Sequence, residues 1–454
     1  MTTKLKTALQ LAQQRVIAPT YKFFNVDEIW EKSSIPDFVT DWGPPDSDDD
    51  DGIVFVDSPE YMYRDVSFTA QEQNLKEVNM QQPEKIVFGS NPEVKLSGDF
   101  TSYTSQGRAA RTIAFELSSR NIVVKPETQT YREDVNQTTI HWIDKLKDQK
   151  IGGKAPWINL SKNGKMNPYG GKKILYYGFD HQNPEIDSES IDEIWVPSNW
   201  HKQMLGPLNI PISVIPYGIN VENYKSGLEP LKFPELKKFV FISVFDWTAR
   251  KGFDVLLKAY MNEFSDSDDV SLLMISKPPP FYDISIVQKD FQYIRESVDK
   301  LDCELPHIEL YTKLVKEWEM PRIYAAGNAY VLISRGESFG YTYCEAASCG
   351  LPVIASYCSA QMDYLTEENS YLVHPTGKTK LPRLAHINPD DYAGKEFATF
   401  DATAINKLQK IMRDVCENHT LAKSKADKLK KAVSRYTWQE SIDKIYNRLL
   451  EVQK

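Results

Sequence analysis

Two glutamates, Glu337 and Glu345, are separated by seven residues in the stretch SRGESFGYTYCEAASCGLPVIA, which covers residues 334–355. Apolar runs before and at the end of this stretch predict strands, and the pattern between them predicts a loop followed by a helix over residues 341–348. One carboxylate therefore precedes the helix and the other lies inside it. Carboxylates are strong acceptors for pairs of hydroxyls, and a glycine-containing turn into a helix suits a phosphate.

A loop acid, a phosphate-suited turn and a helix acid together fit a ligand laid out as diol, phosphate and diol. A nucleoside diphosphate sugar has that layout, and acids read ribose hydroxyls in dinucleotide folds. The alternative is a solvated loop acid and a helix acid that pairs with a surface cation. These residues alone leave both interpretations open.

Such a ligand also needs cations, and the segment FDWTARKGFD supplies Arg250 and Lys251 between a predicted strand and a helix that starts at Phe253. Lysine is a point charge and arginine a forked donor, and both fit a diphosphate. The alternatives are a solvated helix start, or an Arg250 that pairs with Asp254. Because cations at the positive end of a helix dipole are disfavoured without a partner, the pattern favours the phosphate interpretation.

The composition is that of an ordinary globular protein, with 454 residues, 41% hydrophobic and 26% charged, which predicts two domains with appendages. The net charge of −9 argues against general nucleic-acid binding. The N-terminus is too polar for a secretory signal, and no apolar run approaches the roughly 18 residues of a membrane span. The five cysteines form no CxxC pair, so we expect reduced thiols, no metal site and a cytoplasmic location.

A regular strand–helix alternation begins near Val94 and predicts two doubly wound parallel sheets in tandem. We expect an N-terminal extension of unknown role at residues 1–90, a first Rossmann-like domain at 91–222 and a second at 223–434. A C-terminal helix, within 435–454, has one apolar face and must dock against another element.

Three stretches have a less regular pattern. Residues 151–173, rich in glycine, lysine and asparagine, predict a long flexible loop near a site. Residues 5–16 place apolar side chains on one helical face, which is typical of a packed helix, with a membrane-surface or partner helix as the alternative. The acidic residues 44–52 indicate a solvated loop rather than a metal site.

Four segments, in order, resemble the retaining GT-B glycosyltransferases of family 4, the group 1 type. They are GDFTSYTSQGRAAR, DEIWVPSNW with VIPYGIN, FDWTARKGFDVLLKAY and the stretch at 334–355, and the likeness extends from about Val94 to the C-terminus. This resemblance implies an α/β fold of GT-B architecture, in which two tandem Rossmann-like domains face a cleft. The first would take the acceptor and the second the nucleotide-sugar donor, and the C-terminal helix would cross back onto the first.

The resemblance also implies roles for residues. Glu345 would hold the ribose hydroxyls and Glu337 the hydroxyls of the transferred sugar, while Arg250 and Lys251 would neutralise the leaving phosphate. The remaining donor-binding positions that it implies are Ser338, Phe339, Gly340, Tyr341 and, from the opposite domain, Gly107.

Many members of this family carry a histidine that contacts the transferred sugar. His181 follows the predicted strand ILYYGF and is the catalytic candidate that we place in the cleft. Asp180 and His141 are the alternatives, and a structural role for His181 also stays open.

The resemblance implies a retaining, hexosyltransferase-type enzyme that moves a sugar from a nucleotide diphosphate sugar to a hydroxyl of a glycan, lipid or protein acceptor. No cofactor or metal is expected, because the cation pair and the helix dipole would stabilise the leaving group. We expect no nucleic-acid partner and only peripheral membrane contact. The alternatives are a non-catalytic nucleotide-sugar-binding scaffold protein on the same fold, a phosphorylase or an inverting enzyme, whereas the lack of GxxxxGK[ST] argues against a P-loop nucleotidase.

Overall fold

The computed structural model describes residues 21–23 and 92–453. Within that span the residues left out are 103, 129–136, 162–163, 234, 279–282, 299, 301–303, 314, 316–318, 382–391 and 393. The predicted helix at 5–16 and the acidic stretch at 44–52 lie outside the described residues.

The described residues form strands and helices that alternate along most of the chain. The strands are β1 (Tyr21–Phe23), β2 (Glu93–Gly98), β3 (Val123–Thr128), β4 (Trp157–Ser161), β5 (Lys173–Tyr177), β6 (Glu193–Val196), β7 (Ile212–Val214), β8 (Phe239–Asp246), β9 (Val270–Lys277), β10 (His307–Tyr311), β11 (Ala329–Leu332), β12 (Val353–Ser356), β13 (Tyr371–Val373), β14 (Gly377–Lys380) and β15 (Glu396–Thr399). The α-helices are α1 (Ser105–Ser119), α2 (Gln137–Lys147), α3 (Asn199–Leu205), α4 (Phe253–Glu263), α5 (Ser285–Glu296), α6 (Met320–Ala325), α7 (Tyr341–Ser348), α8 (Ala402–Glu417), α9 (His419–Val433) and α10 (Trp438–Val452).

The first sheet has the strand order β3-β2-β4-β5-β6-β7, and all its pairings are parallel. We call β2–β7 with α1–α3 the N-terminal half. The chain passes from β2 to β3 on one side and then to β4 on the other side of β2. Ligands of open α/β sheets bind at the carboxyl ends of the strands where the order reverses in this way, which here is between β2 and β4.

The second sheet has the order β1-β10-β9-β8-β11-β12-β13 and is also entirely parallel. We call β8–β15 with α4–α9 the C-terminal half. The chain passes from β8 to β9 and β10 on one side and then to β11 on the other side of β8, so the order of this sheet reverses between β8 and β11. Strand β1 lies at one edge of this sheet and pairs with β10. It comes from the region predicted as an N-terminal extension. The two parallel sheets confirm the predicted α/β architecture.

Strand β4 was not predicted from the sequence. Residues 151–173 were predicted to be a flexible loop, but they contain β4, which pairs with both β2 and β5 inside the first sheet. The prediction was wrong because the strand is only five residues long, and the glycine, lysine and asparagine residues on both sides of it are typical of a loop. Four of those five residues are buried, as expected for an interior strand of a parallel sheet.

Helix α10 packs on the N-terminal half, although it follows the whole C-terminal half in sequence. It starts at the N-cap Thr437, whose side chain accepts a hydrogen bond from the backbone N–H of Glu440. Arg448 then reaches the buried carboxylate of Glu193 on β6 through two hydrogen bonds of 2.8 and 2.9 Å. Ile442, Ile445 and Leu449 are buried on the same helix. Helix α10, which follows the C-terminal half in sequence, therefore links that half to the N-terminal half by packing on it.

Candidate active site

The reversal between β8 and β11 brings the two predicted charged segments together. After β8 the chain forms a short 3-10 turn, Ala249–Lys251, and then α4 begins after Gly252, whose φ of 66° is left-handed. After β11 the chain runs into the loop that carries Glu337. Because β8 and β11 are parallel neighbours, the two loops lie side by side.

Glu337 and its two cations form a buried cluster. Its Oε1 atom lies 2.6 Å from Lys251 Nζ and 3.3 Å from Arg250 Nη1. Ser359 fixes the glutamate backbone, because its Oγ accepts a 2.8 Å hydrogen bond from the Glu337 N–H. All three charged groups that were predicted at this site are therefore in direct contact.

The electrostatics keep this cluster charged. Burial alone would raise the pKa of Glu337, but the charges of Lys251 and Arg250 lower it below its usual range. Burial lowers the pKa of Lys251, and the neighbouring Glu337 carboxylate opposes that effect. The cluster is thus an anion held by two cations in a site with little access to water.

Arg250 also reaches the N-terminal half. Its Nε atom lies 3.1 Å from Oδ2 of Asp180 in that half. The same atom donates to the hydroxyl of Tyr392, in the C-terminal half, at 2.9 Å. The possible partner Asp254 is instead held by Arg335, with two hydrogen bonds of 2.8 Å. The alternative pairing of Arg250 with Asp254 was therefore wrong, because Arg335 fills that role.

The candidates for contact with the transferred sugar, Asp180, His181 and His141, do not lie together in the structure. Asp180 and His181 are both buried at the carboxyl end of β5, and the Nδ1 atom of His181 is 3.6 Å from Oδ1 of Asp180, longer than a hydrogen bond. The neighbouring His201 accounts for the fixed position of this segment, since its Nε2 is 2.9 Å from the Phe179 carbonyl oxygen. Burial lowers the pKa of His201 to about 3. His141 is exposed on α2, away from the cluster.

Glu345 is buried in a second cluster. Its Oε2 atom accepts a 2.9 Å hydrogen bond from the Tyr324 hydroxyl, and its Oε1 atom lies 2.8 Å from Nη2 of Arg108. Arg108 belongs to α1 of the N-terminal half, and its guanidinium lies 4.4 Å from the ring centre of Tyr341. Arg108 was not predicted from the sequence as a site residue. The one local signal was its position immediately after Gly107 in the glycine loop.

The turn into α7 has the features predicted for an anion site. Gly340 has a left-handed φ of 82°, and the helix start has no side-chain cap. The Tyr364 hydroxyl donates to the Phe339 carbonyl oxygen at 2.7 Å, which orients the turn. Tyr341 stacks on Tyr217 of the N-terminal half at 5.8 Å, and Ser338 lies against Gly178 of the same half.

Gly107 does not lie in a loop as predicted, because α1 starts two residues earlier. The hydroxyl of Thr104 caps the helix and accepts a 3.1 Å hydrogen bond from the Gly107 N–H. A Cβ at this position would lie 2.3 Å from the Ser102 carbonyl oxygen, so the close approach of the preceding loop requires glycine. The amide of Gly107 is therefore engaged by its own helix cap.

Other predictions concern metals, thiols and membranes. Among the described residues, no group of three or more His, Cys, Asp or Glu side chains is arranged to hold a metal ion. The described cysteines are free thiols, at Cys344, Cys349, Cys358 and Cys416. Within the part of the chain that the structure covers, no helix is long and apolar enough to cross a membrane.

Part of the chain is similar in sequence to known glycosyltransferases. Residues 236–383 match the family described as "Glycosyl transferases group 1". Sulfoquinovosyl transferase SQD2 from Arabidopsis thaliana is 26% identical over 153 residues, which is 34% of this chain and 25% of that protein. Phosphatidyl-myo-inositol mannosyltransferase from Mycobacterium leprae is 28% identical over 158 residues, 35% of this chain and 37% of that protein. The match thus spans about a quarter to three eighths of the curated relatives.

The fold is also found among solved structures. Anabaena HepE in complex with UDP and glucose superposes with a TM-score of 0.55 at 12% sequence identity, covering 79% of this chain and 100% of that one. At this level of identity the likeness shows the fold alone. The chain therefore has the GT-B fold, and residues 236–383 are similar to the group 1 glycosyl transferases.

Proposed function

We propose that this protein transfers a sugar, of the hexosyl type, from a nucleotide diphosphate sugar to an acceptor hydroxyl, with retention of the anomeric configuration. The observation that carries the proposal is the contact of Lys251 and Arg250 with Glu337 beside the start of α7. UDP and glucose are the ligands in one HepE complex, and UDP-glucose, a nucleotide sugar, is the ligand in another.

The donor would enter by exchanging partners within this cluster. A diphosphate carries more negative charge than one carboxylate, so it can take over the two cations that Glu337 holds. Glu337 then becomes an acceptor for hydroxyls of the transferred sugar. Glu345 would hold the ribose once Arg108 withdraws, and the amides at Phe339, Gly340 and Tyr341 would face the phosphates.

The proposed reaction conserves atoms and charge within the substrates. The bond between the anomeric carbon and the leaving β-phosphate oxygen breaks, and the acceptor oxygen bonds to that carbon on the same face. The acceptor proton passes to the leaving phosphate oxygen. The chain contributes positioning and a fixed positive field from Lys251, Arg250 and the α7 dipole.

In this proposal the cations take the role that a divalent metal has in other transferases, and the reaction takes place in the cytoplasm. Asp180 and His181 belong to the N-terminal half, and Asp180 contacts the cluster from that half. They would contact the transferred sugar, with Asp180 also orienting Arg250 through the 3.1 Å contact.

The test is a thermal-shift screen of nucleotides and nucleotide sugars with EDTA present. A ligand at about 100 times its dissociation constant should stabilise the protein by roughly 2.7 kcal/mol. The matched variants are Lys251→Ala, which should lose the shift, and Lys238→Ala on the surface of the same half, which should keep it. NMR of the anomeric proton in product from the best donor then reports the configuration.

Each outcome has a consequence. Binding without donor consumption would favour the non-catalytic scaffold alternative. An inverted product would contradict retention, and a strict need for added Mg²⁺ or Mn²⁺ would contradict the role given to the cations. Equal shifts in the two lysine variants would place the diphosphate elsewhere.

A further inference from the structure

A short 3-10 helix of the C-terminal half, Ser359–Asp363, lies between Glu337 and the N-terminal half. We call it the 359–363 turn. Its first residue, Ser359, has a left-handed φ of 59°, which is uncommon for a residue that carries a Cβ. Such a conformation costs free energy and persists only where the surrounding structure enforces it. The turn is therefore held in place by its neighbours.

The first two residues of the 359–363 turn hold the backbone of Glu337. Ser359 Oγ accepts a 2.8 Å hydrogen bond from the Glu337 N–H. The Ala360 N–H donates to the Glu337 carbonyl oxygen at 3.3 Å. Together with the ion pairs to the two cations, these bonds fix both the main chain and the side chain of Glu337. The position of the carboxylate thus depends on the position of the turn.

The middle of the 359–363 turn is buried in the N-terminal half. Ala360 is fully buried in a hydrophobic cluster whose other buried members, such as Phe179 and Trp200, belong to the N-terminal half. Met362 is partly buried and packs against the same cluster. The turn is therefore a part of the C-terminal half whose side chains complete a core of the other half.

The end of the 359–363 turn contacts the start of α3. The Oδ2 atom of Asp363 accepts hydrogen bonds from the Asn199 backbone N–H at 2.7 Å and from its side-chain Nδ2 at 3.0 Å. The Oδ1 atom accepts from the Trp200 N–H at 3.2 Å. The first N–H groups of a helix have no partner within the helix, so Asp363 satisfies two of them from the other half. This carboxylate fixes α3 relative to the turn.

Helix α3 in turn fixes the segment that carries Asp180. Nδ1 of His201 lies 2.6 Å from Ser198 Oγ, and Nε2 lies 2.9 Å from the Phe179 carbonyl oxygen. The imidazole can accept the serine proton at Nδ1 while it donates from Nε2 to the carbonyl. His201 is fully buried, so water does not replace either bond. The next residue after Phe179 is Asp180, whose carboxylate contacts Arg250.

These contacts form a closed circuit through both halves. The circuit runs from Glu337 through the 359–363 turn and α3 to Asp180. It returns through the guanidinium of Arg250, which contacts both carboxylates. At the same place the two backbones approach so closely that a Cβ at Gly336 would lie 1.8 Å from the Asp180 carbonyl oxygen. A displacement of α3 would therefore change the spacing of the two carboxylates.

We propose that Asp363 is a positioning residue, which sets the place of Asp180 and His181 relative to Glu337 by fixing α3 across the two halves. The expected effect on transfer rests on the proposed function, whereas the effect on position does not. The predicted donor ligands Glu345 and Lys251 belong to the C-terminal half, so loss of Asp363 should leave donor binding in place. Transfer should suffer, because a displacement of about 1 Å can cost roughly 100-fold in rate.

The test compares Asp363→Ala with Glu368→Gln, an exposed acid a little further along the same half. We expect Asp363→Ala to lower kcat per folded molecule by at least about tenfold, while the donor dissociation constant rises by no more than about twofold. Asp363→Asn keeps one acceptor oxygen and should recover part of the turnover. Glu368→Gln should match the wild type. Unchanged kcat in Asp363→Ala, or a loss explained entirely by weaker donor binding, would overturn the proposal.

A milder variant keeps the test decisive if Asp363→Ala folds poorly. Asn199 is exposed, and Asn199→Ala removes only the 3.0 Å side-chain bond to Asp363. We expect a loss of kcat of about two- to fivefold, as for a single hydrogen bond. The double variant should lose no more than Asp363→Ala alone, because both changes remove the same contact. Fully additive losses, or no loss in Asn199→Ala and Asp363→Asn, would contradict the proposed role.

Hydrogen exchange measures the position without the reaction. We expect the amides of residues 178–182 and 199–205 to exchange at least about fivefold faster in Asp363→Ala than in the wild type, and at the wild-type rate in Glu368→Gln. If the wild type transfers no sugar but this exchange result holds, the proposed function fails and the positioning role stands. If transfer is lost while exchange in residues 178–182 stays unchanged, the positioning role fails.

Discussion

In the C-terminal half, the charged side chains that follow β8 and β11 are buried against one another, whereas in the N-terminal half a cavity of about 790 Å³, lined by Asp99, Glu127 and Asn159 among others, opens beside β2, β3 and β4. Lys251 and Glu337 are 2.6 Å apart on the first side, and Glu127 is 51% exposed on the second. The two halves thus share a sheet topology and differ in how their polar groups are satisfied before a ligand arrives.

This difference has a consequence for recognition. A ligand of the C-terminal half must replace existing ion pairs, so only a group with strong charge of its own can compete. A ligand of the N-terminal half would meet side chains that are partly exposed to water, so it would displace fewer existing contacts on binding. We therefore expect strict selection for a diphosphate in the C-terminal half and weaker selection by charge in the N-terminal half.

The largest effect that we expect is on stability, from Glu337→Gln. Breaking a buried pair costs roughly 3–5 kcal/mol, because two buried cations lose their anion. Since the folded pKa of Glu337 is lowered, its contribution is present above the unfolded pKa of about 4.3 and is lost as the pH falls through the lower folded value. Urea unfolding from pH 7 to pH 3 should show the gap to wild type narrowing with acid.

The control for this experiment is Glu189→Gln, an exposed acid of the N-terminal half that should show no gap at any pH. A Glu337→Gln gap that stayed constant down to pH 3 would mean that the carboxylate is not the ionised partner of Lys251.

The next effect is on turnover, from Lys251→Ala. Loss of a strong electrostatic donor to the leaving group should cost about 2.7–4 kcal/mol of transition-state stabilisation, or roughly a 100- to 1,000-fold loss of kcat. Arg250→Ala should cost less in kcat and more in folding, because Arg250 also holds Asp180 and the Gly336 carbonyl oxygen. Steady-state transfer and thermal unfolding of both variants separate these roles. Reversal of the order would make Arg250 the main phosphate ligand.

The smallest effects that we expect are changes in donor affinity, in opposite directions, from substitutions of Glu345 and Arg108. Glu345→Ala should weaken donor binding by roughly 10- to 100-fold, as expected for a hydrogen bond to a charged group worth about 1.5–3 kcal/mol. Arg108→Ala should tighten it, because the guanidinium occupies the Glu345 oxygen that a ribose hydroxyl would take. Calorimetric titration of the donor measures both, with Lys145→Ala on the exposed face of α2 as the control. Weaker binding in Arg108→Ala would mean that the arginine stays with the donor.

The sequence predicted the elements around Glu337 and Lys251 well because their signals are local. The strand, loop and helix around Glu337 lie within one continuous stretch, and the structure confirms α7 over Tyr341–Ser348 and the start of α4 at Phe253. A left-handed Gly252 before α4 also agrees with the glycine predicted to turn the chain into that helix. Spacing and glycine positions are enough to place such groups at one end of a sheet.

The rest depends on contacts between distant residues. Arg108 and Glu345 are 237 positions apart, so no window along the chain shows that they pair. Asp180 and Arg250 belong to different halves, and their contact depends on how the two halves pack against each other. The cavity was missed for a different reason, because its Trp157 lies on β4, the strand hidden among glycine and lysine residues.

The docking of α10 on the N-terminal half has a consequence for biosynthesis. Strand β7 leaves the ribosome about 220 residues before the helix that carries Arg448. At roughly 5–20 residues per second, the N-terminal half exists for roughly 10–45 s with its buried Glu193 paired to Lys172 but without Arg448. During that time the surface that will bury Ile442, Ile445 and Leu449 is exposed to water, so we expect nascent chains of this protein to depend on chaperones until α10 is synthesised.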